Sequence, residues 1–136
     1  MKLAVIKDDD AIEHVVELAR EAGYAPEDIL TARNRSEAMA LIEQLIPDIA
    51  VVDPHLTNDE QLEDGIEVIG TLRQKSKTCI IICLTGGGTI SLGVRALKAG
   101  AQDHIDMSWP RVNWCVLLRE KLKIWKAVSL RRTEHQ

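Results

Sequence analysis

Three stretches of this chain are apolar at every position: Leu3–Ile6, Ile49–Val52 and the run from Cys79 to Leu84. A strand with one face in water alternates apolar and polar residues. A strand that is apolar throughout is buried on both faces, as in a parallel sheet covered by helices. Each run is followed by a segment with a different period. Ile12, Val15, Val16 and Ala19 stand at i, i+3, i+4 and i+7, one stripe of a helix that Gly23 is placed to end. Ala38, Leu41, Ile42 and Leu45 repeat that spacing, with Asn34 or Ser36 as the cap and Pro47 as the stop. After a polar loop from Thr57 to Asp64, Gly65 opens a helix through Ile66, Ile69 and Leu72. Gly86-Gly87-Gly88 breaks the chain after Leu84, and another helix runs from about Ile90 to Ala99, ending at Gly100. The last helix follows Pro110 and carries Val112, Cys115, Leu118, Leu122 and Trp125. Ile29–Ala32 and Asp103–Asp106 read as two weaker strands. Strands and helices in strict alternation predict five βα units, an α/β chain with a doubly wound parallel sheet and right-handed crossovers.

The 136 residues suit one domain, large enough to stand without a disulfide or metal staple. Apolar residues at 46% and charged residues at 28% argue for a packed core over disorder. Phenylalanine is absent, so the core is expected to be aliphatic. Seventeen basic against twenty-one acidic side chains leave a net charge of −4, which speaks against direct nucleic-acid binding. The apolar run Ile80–Leu84 is too short to cross a membrane, and Leu3–Ile6 is too short for a signal peptide, so a cytoplasmic chain is expected. Cys79, Cys83 and Cys115 are odd in number and not at zinc spacing, as expected of reduced thiols. Beyond Val128 the apolar spacing lapses in a basic stretch. The expected division is a domain over 1–128 and, over 129–136, a tail or the start of a linker.

In such a sheet, ligands bind beyond the carboxyl ends of the strands. Those ends carry Lys7-Asp8-Asp9-Asp10 after the first strand, Asp53 after the third and Thr85-Gly86 after the fourth. Converging carboxylates repel one another unless a cation sits between them, and oxygen ligands with water favour Mg²⁺. A metal-charged carboxylate beside a Thr hydroxyl and backbone N–H groups can hold a phosphoryl group.

This arrangement resembles the receiver domain of bacterial two-component response regulators. Leu3–Asp10 looks like that family's first strand and acidic turn, and Pro47–Asp53 like the third strand ending in the phosphoacceptor. Asp64-Gly65 looks like the pair opening the third helix, Ile80–Leu84 with Thr85-Gly86 like the fourth strand and its switch threonine, and Lys98–Asp103 like the turn into the fifth strand. The resemblance implies a flavodoxin-like receiver sheet of strand order 2-1-3-4-5. It implies that Asp53 accepts a phosphoryl group from a histidine kinase or phosphotransfer protein, as a phosphoacceptor and not a turnover enzyme. Asp8, Asp53 and the backbone carbonyl of His55 would hold Mg²⁺, with Asp9 a further candidate, and Thr85 would turn its hydroxyl onto the phosphoryl group. Phosphorylation, adding roughly −1.5 to −2 charges, would then switch the face of the fourth helix, fifth strand and fifth helix toward an output domain, a partner protein or a second copy of the chain.

The departures from that pattern matter as much. Lys7 stands at the first position of the family's acidic pair, and Met107 where the family has an invariant lysine. His104 replaces the switch aromatic, Pro54 directly follows the acceptor, and the loop from Asp53 to Gly65, with Thr57 where a proline is common, is longer than the family's. Loss at 107 with gain at 7 predicts an ion pair between Lys7 and Asp53, either replacing the missing lysine in part or competing with Mg²⁺. A register shifted by one would make Asp8-Asp9 the acidic pair, but Ile12, Val15 and Val16 fit the family's stripe only with Lys7 first. Plainer readings stand beside these. Asp8, Asp9 and Asp10 would also cap a helix, and Thr85 would also suit a turn. Trp114 falls off the stripe of Cys115, Leu118 and Leu122, so it either packs at the core or rim or is exposed as a partner surface. Two other functions fit less of the pattern: a degenerate receiver acting by protein contact alone, and a small aspartate-dependent phosphohydrolase.

Overall fold

The computed structural model describes residues 1–8, 11–56, 64–86 and 90–134. Asp9, Asp10, Thr57 with the following loop to residue 63, and Gly87-Gly88 fall outside them. In chain order the elements are β1 (Leu3–Ile6), α1 (Ala11–Ala22), β2 (Ile29–Ala32), α2 (Arg35–Gln44), β3 (Ile49–Val52), α3 (Asp64–Lys75), β4 (Ile80–Thr85), α4 (Ile90–Ala99), β5 (Asp103–Asp106) and α5 (Arg111–Glu134). All strand pairs are parallel, in the order β2-β1-β3-β4-β5.

Successive strand residues point to opposite faces, and each face has its own core. Leu3, Val5, Ile49, Val51, Ile82, Leu84 and Ile105 meet Ile12, Val15 and Leu18 of α1 and Trp114, Leu118 and Leu122 of α5. Ala4, Ile6, Ala50, Val52, Ile81 and Cys83 meet Ala38 and Ile42 of α2, Val68, Ile69 and Leu72 of α3, and Ala96 of α4. That division explains why β1 and β3, in mid-sheet, are apolar at every position. β2 and β5 are the sheet's edges, half exposed, and correspondingly weak in sequence.

One open local expectation is settled and two are corrected. Trp114 takes the packed one of its two readings, 1% accessible and part of the core, held by an indole N–H donated to the carbonyl of Trp109 at 3.2 Å. Val112, expected on the buried stripe, is 66% exposed, because the helix is rotated so that Trp114, Leu118 and Leu122 face the sheet. Leu45 lies past the end of α2 and is 41% exposed. Of the two candidate caps, Asn34 serves: its Oδ1 accepts the Glu37 N–H at 2.8 Å. The core is aliphatic apart from Trp114 and Tyr24, whose hydroxyl donates to the Leu118 carbonyl at 2.8 Å. Cys79 and Cys83 are buried and Cys115 is half-buried, all as free thiols. Helix α5 continues unbroken across Val128 to Glu134.

Candidate functional site

The register of β1 against β3 pairs Ile6 with Val52, so the next residue of each strand, Lys7 and Asp53, emerges side by side. Backbone bonds fix both. The Lys7 N–H donates to the Ala32 carbonyl at 3.0 Å, and the Asp53 N–H donates to the Ile6 carbonyl at 2.9 Å. From these anchors the Lys7 ammonium donates to Asp53 Oδ2 at 2.8 Å, with side-chain exposures of 8% and 15%. A charge buried to this degree is tolerated only when paired. The other carboxylate oxygen, Oδ1, accepts the His55 N–H at 2.9 Å.

Beside this pair lies a cavity of about 190 Å³ at the carboxyl ends of the strands. Lys7, Asp53, His55 and Thr85 line it, with Leu84, Leu92 and Met107 as apolar wall. Thr85 closes β4, but its hydroxyl donates to the Ile105 carbonyl at 3.4 Å, across to β5. The Met107 N–H donates to the Thr85 carbonyl at 2.7 Å, so Met107 is docked to the cavity through its backbone while its side chain adds no charge. Lys7, Asp53, His55, Thr85 and Met107 are thus brought together. Asp8 is half-buried directly after Lys7, while Asp9 lies outside the described residues. His104 is exposed at the far side of β5, its ring 5.8 Å from Trp109.

Two residues shape the site without having been singled out for it. Leu92, 4% exposed, walls the cavity from α4, and an apolar helix residue carries no sequence signal for that role. Gly65 appeared only as the opening of a helix, yet a Cβ there would lie 2.1 Å from the Asp53 carbonyl oxygen and 2.4 Å from Pro54 Cα. Its N–H donates to the Pro54 carbonyl at 3.2 Å. The start of α3 therefore rests directly on the backbone that presents Asp53, and Gly is the residue that permits it. A larger groove of about 450 Å³ lies at the opposite end of the sheet, near Asp48, Cys79 and Trp125.

For a divalent cation, Asp8, Asp53 and the His55 carbonyl would be oxygen donors of the right kind, though of these Asp53 and His55 line the cavity and Asp8 does not. The donor set fits in chemistry, although both Asp53 oxygens are engaged by protein N–H donors. Among the described residues, no cluster of three or more His, Cys, Asp or Glu side chains is arranged to hold a metal ion.

The chain matches the profile of the response regulator receiver domain over residues 3–112. It is 31% identical over 103 residues to the photosynthetic apparatus regulatory protein RegA of Cereibacter sphaeroides, covering 76% of this chain and 52% of RegA. A putative NtrX-like response regulator of Rickettsia bellii is 22% identical over 90% of this chain and 25% of its own length. The fold superposes on the crystal structure of the receiver domain of NtrX from Brucella abortus with a TM-score of 0.77 at 20% identity, covering 90% of this chain and 98% of that one. The chain thus spans about half the length of RegA and a quarter of the NtrX-like relative.

Proposed function

The chain belongs to the response regulator receiver family of two-component signalling, and on that premise we propose that Asp53 is its phosphoacceptor. The observation that carries this reading is the placement of Asp53. It stands at the carboxyl end of a central strand, in a cavity that also holds an ammonium group and a hydroxyl. A carboxylate oxygen of Asp53 attacks the phosphorus of a partner's phosphohistidine. The P–O bond forms as the P–N bond breaks, and the departing imidazole nitrogen takes a proton from solvent. Mg²⁺ held by Asp8, Asp53 and the His55 carbonyl would neutralise charge on the phosphoryl oxygens. Thr85 releases its 3.4 Å bond to the Ile105 carbonyl to donate to the phosphoryl group. That exchange carries the event to β5.

Receiver domains are generally phosphoacceptors and not turnover enzymes, and we read this one the same way. Its phosphoryl donor is a histidine kinase or phosphotransfer protein. Its responding face is α4, β5 and α5, where Val94, Leu97, Val112 and Val116 are all more than 40% exposed and suit an output domain, a partner or a second copy. Free thiols fit a reducing cytoplasm, and no described helix is long and apolar enough to cross a membrane.

The test is intact-mass analysis after treatment with acetyl phosphate and Mg²⁺, beside Asp53→Ala. One phosphoryl increment on the parent and none on the variant is expected. No increment on a folded parent would overturn the reading and leave a domain that signals by contact alone. Steady hydrolysis of a chromogenic phosphate ester would overturn the non-enzymatic part.

A further inference from the structure

We propose that Lys7 is the resting counter-ion of the acceptor pocket and that a divalent cation reaches Asp53 only by displacing it. The inference rests on reading Asp53 as the acceptor and concerns how its pocket is regulated. Three observations carry it. The Lys7 ammonium lies 2.8 Å from Asp53 Oδ2, the distance of a charge-assisted hydrogen bond, so it holds one of the two oxygens a metal would use. Lys7 is 6% exposed overall and its backbone is tied to Ala32, so the ammonium is delivered by the fold and not by chance contact at a surface. The opposite wall is apolar, formed by Leu84, Leu92 and Met107, so among the described residues lining the cavity Lys7 is the one permanent cation.

Electrostatics then sets the competition. Asp53 with Lys7 is a neutral pair, whereas a bare carboxylate offers a full negative charge to an incoming dication. A dication entering beside the ammonium meets its repulsion as well, at a range where charges in a partly desolvated cleft interact strongly. Cation entry and departure of the ammonium are therefore one exchange. The same ammonium, once displaced, is tethered within reach of the phosphoryl oxygens that phosphorylation adds.

Mn²⁺, followed by its electron paramagnetic resonance signal, is the probe, titrated into the whole chain with no phosphoryl donor present. The parent is expected to bind it only weakly. Lys7→Gln should bind about tenfold more tightly or better, since it removes the competing charge. Lys7→Arg should remain as weak as the parent, and adding Asp53→Asn to Lys7→Gln should abolish the gain. Equal affinity of the parent and Lys7→Gln would overturn the proposal. So would tight binding by the parent that Asp53→Asn removes, a result that decides the matter even if Lys7→Gln does not fold. Failure of the acceptor reading is seen separately, in the mass of the acetyl phosphate product, because the Mn²⁺ titration requires no phosphorylation.

Discussion

Replacing Gly65 with alanine sets two effects of opposite sign against each other. Within a helix, Ala is favoured over Gly by roughly 0.5–1 kcal/mol, so propensity alone predicts stabilisation. The structure predicts the reverse. The new methyl would sit 2.1 Å from the Asp53 carbonyl oxygen, 2.4 Å from Pro54 Cα and 2.6 Å from the Pro54 carbonyl carbon. All three are backbone atoms that cannot rotate aside. To restore ordinary contact distances the first turn of α3 must retreat by about 1 Å or more. Forcing a methyl group into a packed site costs about 1–3 kcal/mol. The 3.2 Å bond from the Gly65 N–H to the Pro54 carbonyl would stretch or break in the process, at about 1 kcal/mol. The net expectation is destabilisation of about 1–3 kcal/mol, the difference of these three terms.

The same helix supplies the control. Gly70 has nothing within 4 Å of where its Cβ would stand, so Gly70→Ala should stabilise by about 0.5–1 kcal/mol. Urea unfolding followed by far-ultraviolet circular dichroism separates the two. With a urea m-value of about 1–3 kcal/mol/M, the midpoint should fall for Gly65→Ala and rise for Gly70→Ala. A midpoint for Gly65→Ala equal to or above the parent's would refute the claim that α3 rests on the Asp53–Pro54 backbone.

Two further predictions follow from the titrating groups. Burial pushes the Cys79 thiol up to about 12, Asp48 adding to the effect and Arg73 opposing it, and burial likewise raises Cys83 and Cys115. A colourimetric disulfide reagent at mildly alkaline pH should therefore find no fast-reacting thiol in the folded protein and three after unfolding; a rapid burst from the native state would contradict this. Burial alone would raise the Asp103 carboxyl, but the His104 N–H and the Lys121 ammonium, 3.1 Å away, outweigh it and hold it below its ordinary value. A lowered carboxylate stabilises the fold above its unfolded value, near pH 4, and loses that contribution as pH falls through the folded value. With Asp103 about one-third exposed, Lys121→Gln should cost at most about 1 kcal/mol at neutral pH, the cost vanishing in acid. A cost that persists in strong acid would place the effect of Lys121 elsewhere than in this pair.

The parts of the fold that were legible in sequence are those where burial leaves no choice. β1, β3 and β4 sit inside the sheet and can be nothing but apolar, while the edge strands β2 and β5 show weakly because water reaches one side of each. The choice between Asn34 and Ser36 is settled by Glu37, whose N–H bonds Asn34 while its carboxylate accepts from the Arg33 N–H, a reciprocal pairing visible in sequence as Asn-x-x-Glu. Trp114 was harder. Along α5 apolar residues appear on more than one side, so periodicity alone does not say which of Val112 and Trp114 turns inward. In the structure Trp114 packs with α1 and the sheet while Val112 faces out. In the site, strand-end position placed Lys7, Asp53 and Thr85 together: the parallel register extended one residue past β1 and β3 sets Lys7 beside Asp53, and Thr85 closes the neighbouring strand β4. Side-chain direction was not legible: nothing in the sequence says that the Thr85 hydroxyl rests on Ile105, or that Gly65 is held by contact with Pro54.

Moving the cation from position 107 to position 7 changes more than its identity. Residue 107 follows β5, at one edge of the sheet, while Lys7 follows β1, on the other side of β3. A lysine at 107 would draw β5 toward an added phosphoryl charge and so act directly on the α4–β5–α5 face. Lys7 is anchored instead to β1 and, through Ala32, to β2, so any attraction it had for a phosphoryl group on Asp53 would load the half of the sheet away from that face. Thr85 links the cavity to β5, with its hydroxyl on the Ile105 carbonyl and its own carbonyl on the Met107 N–H. If Asp53 is the acceptor, neutralising the pocket and signalling its occupancy, which one lysine can do together, would in this chain be divided between Lys7 on one side of Asp53 and Thr85 on the other.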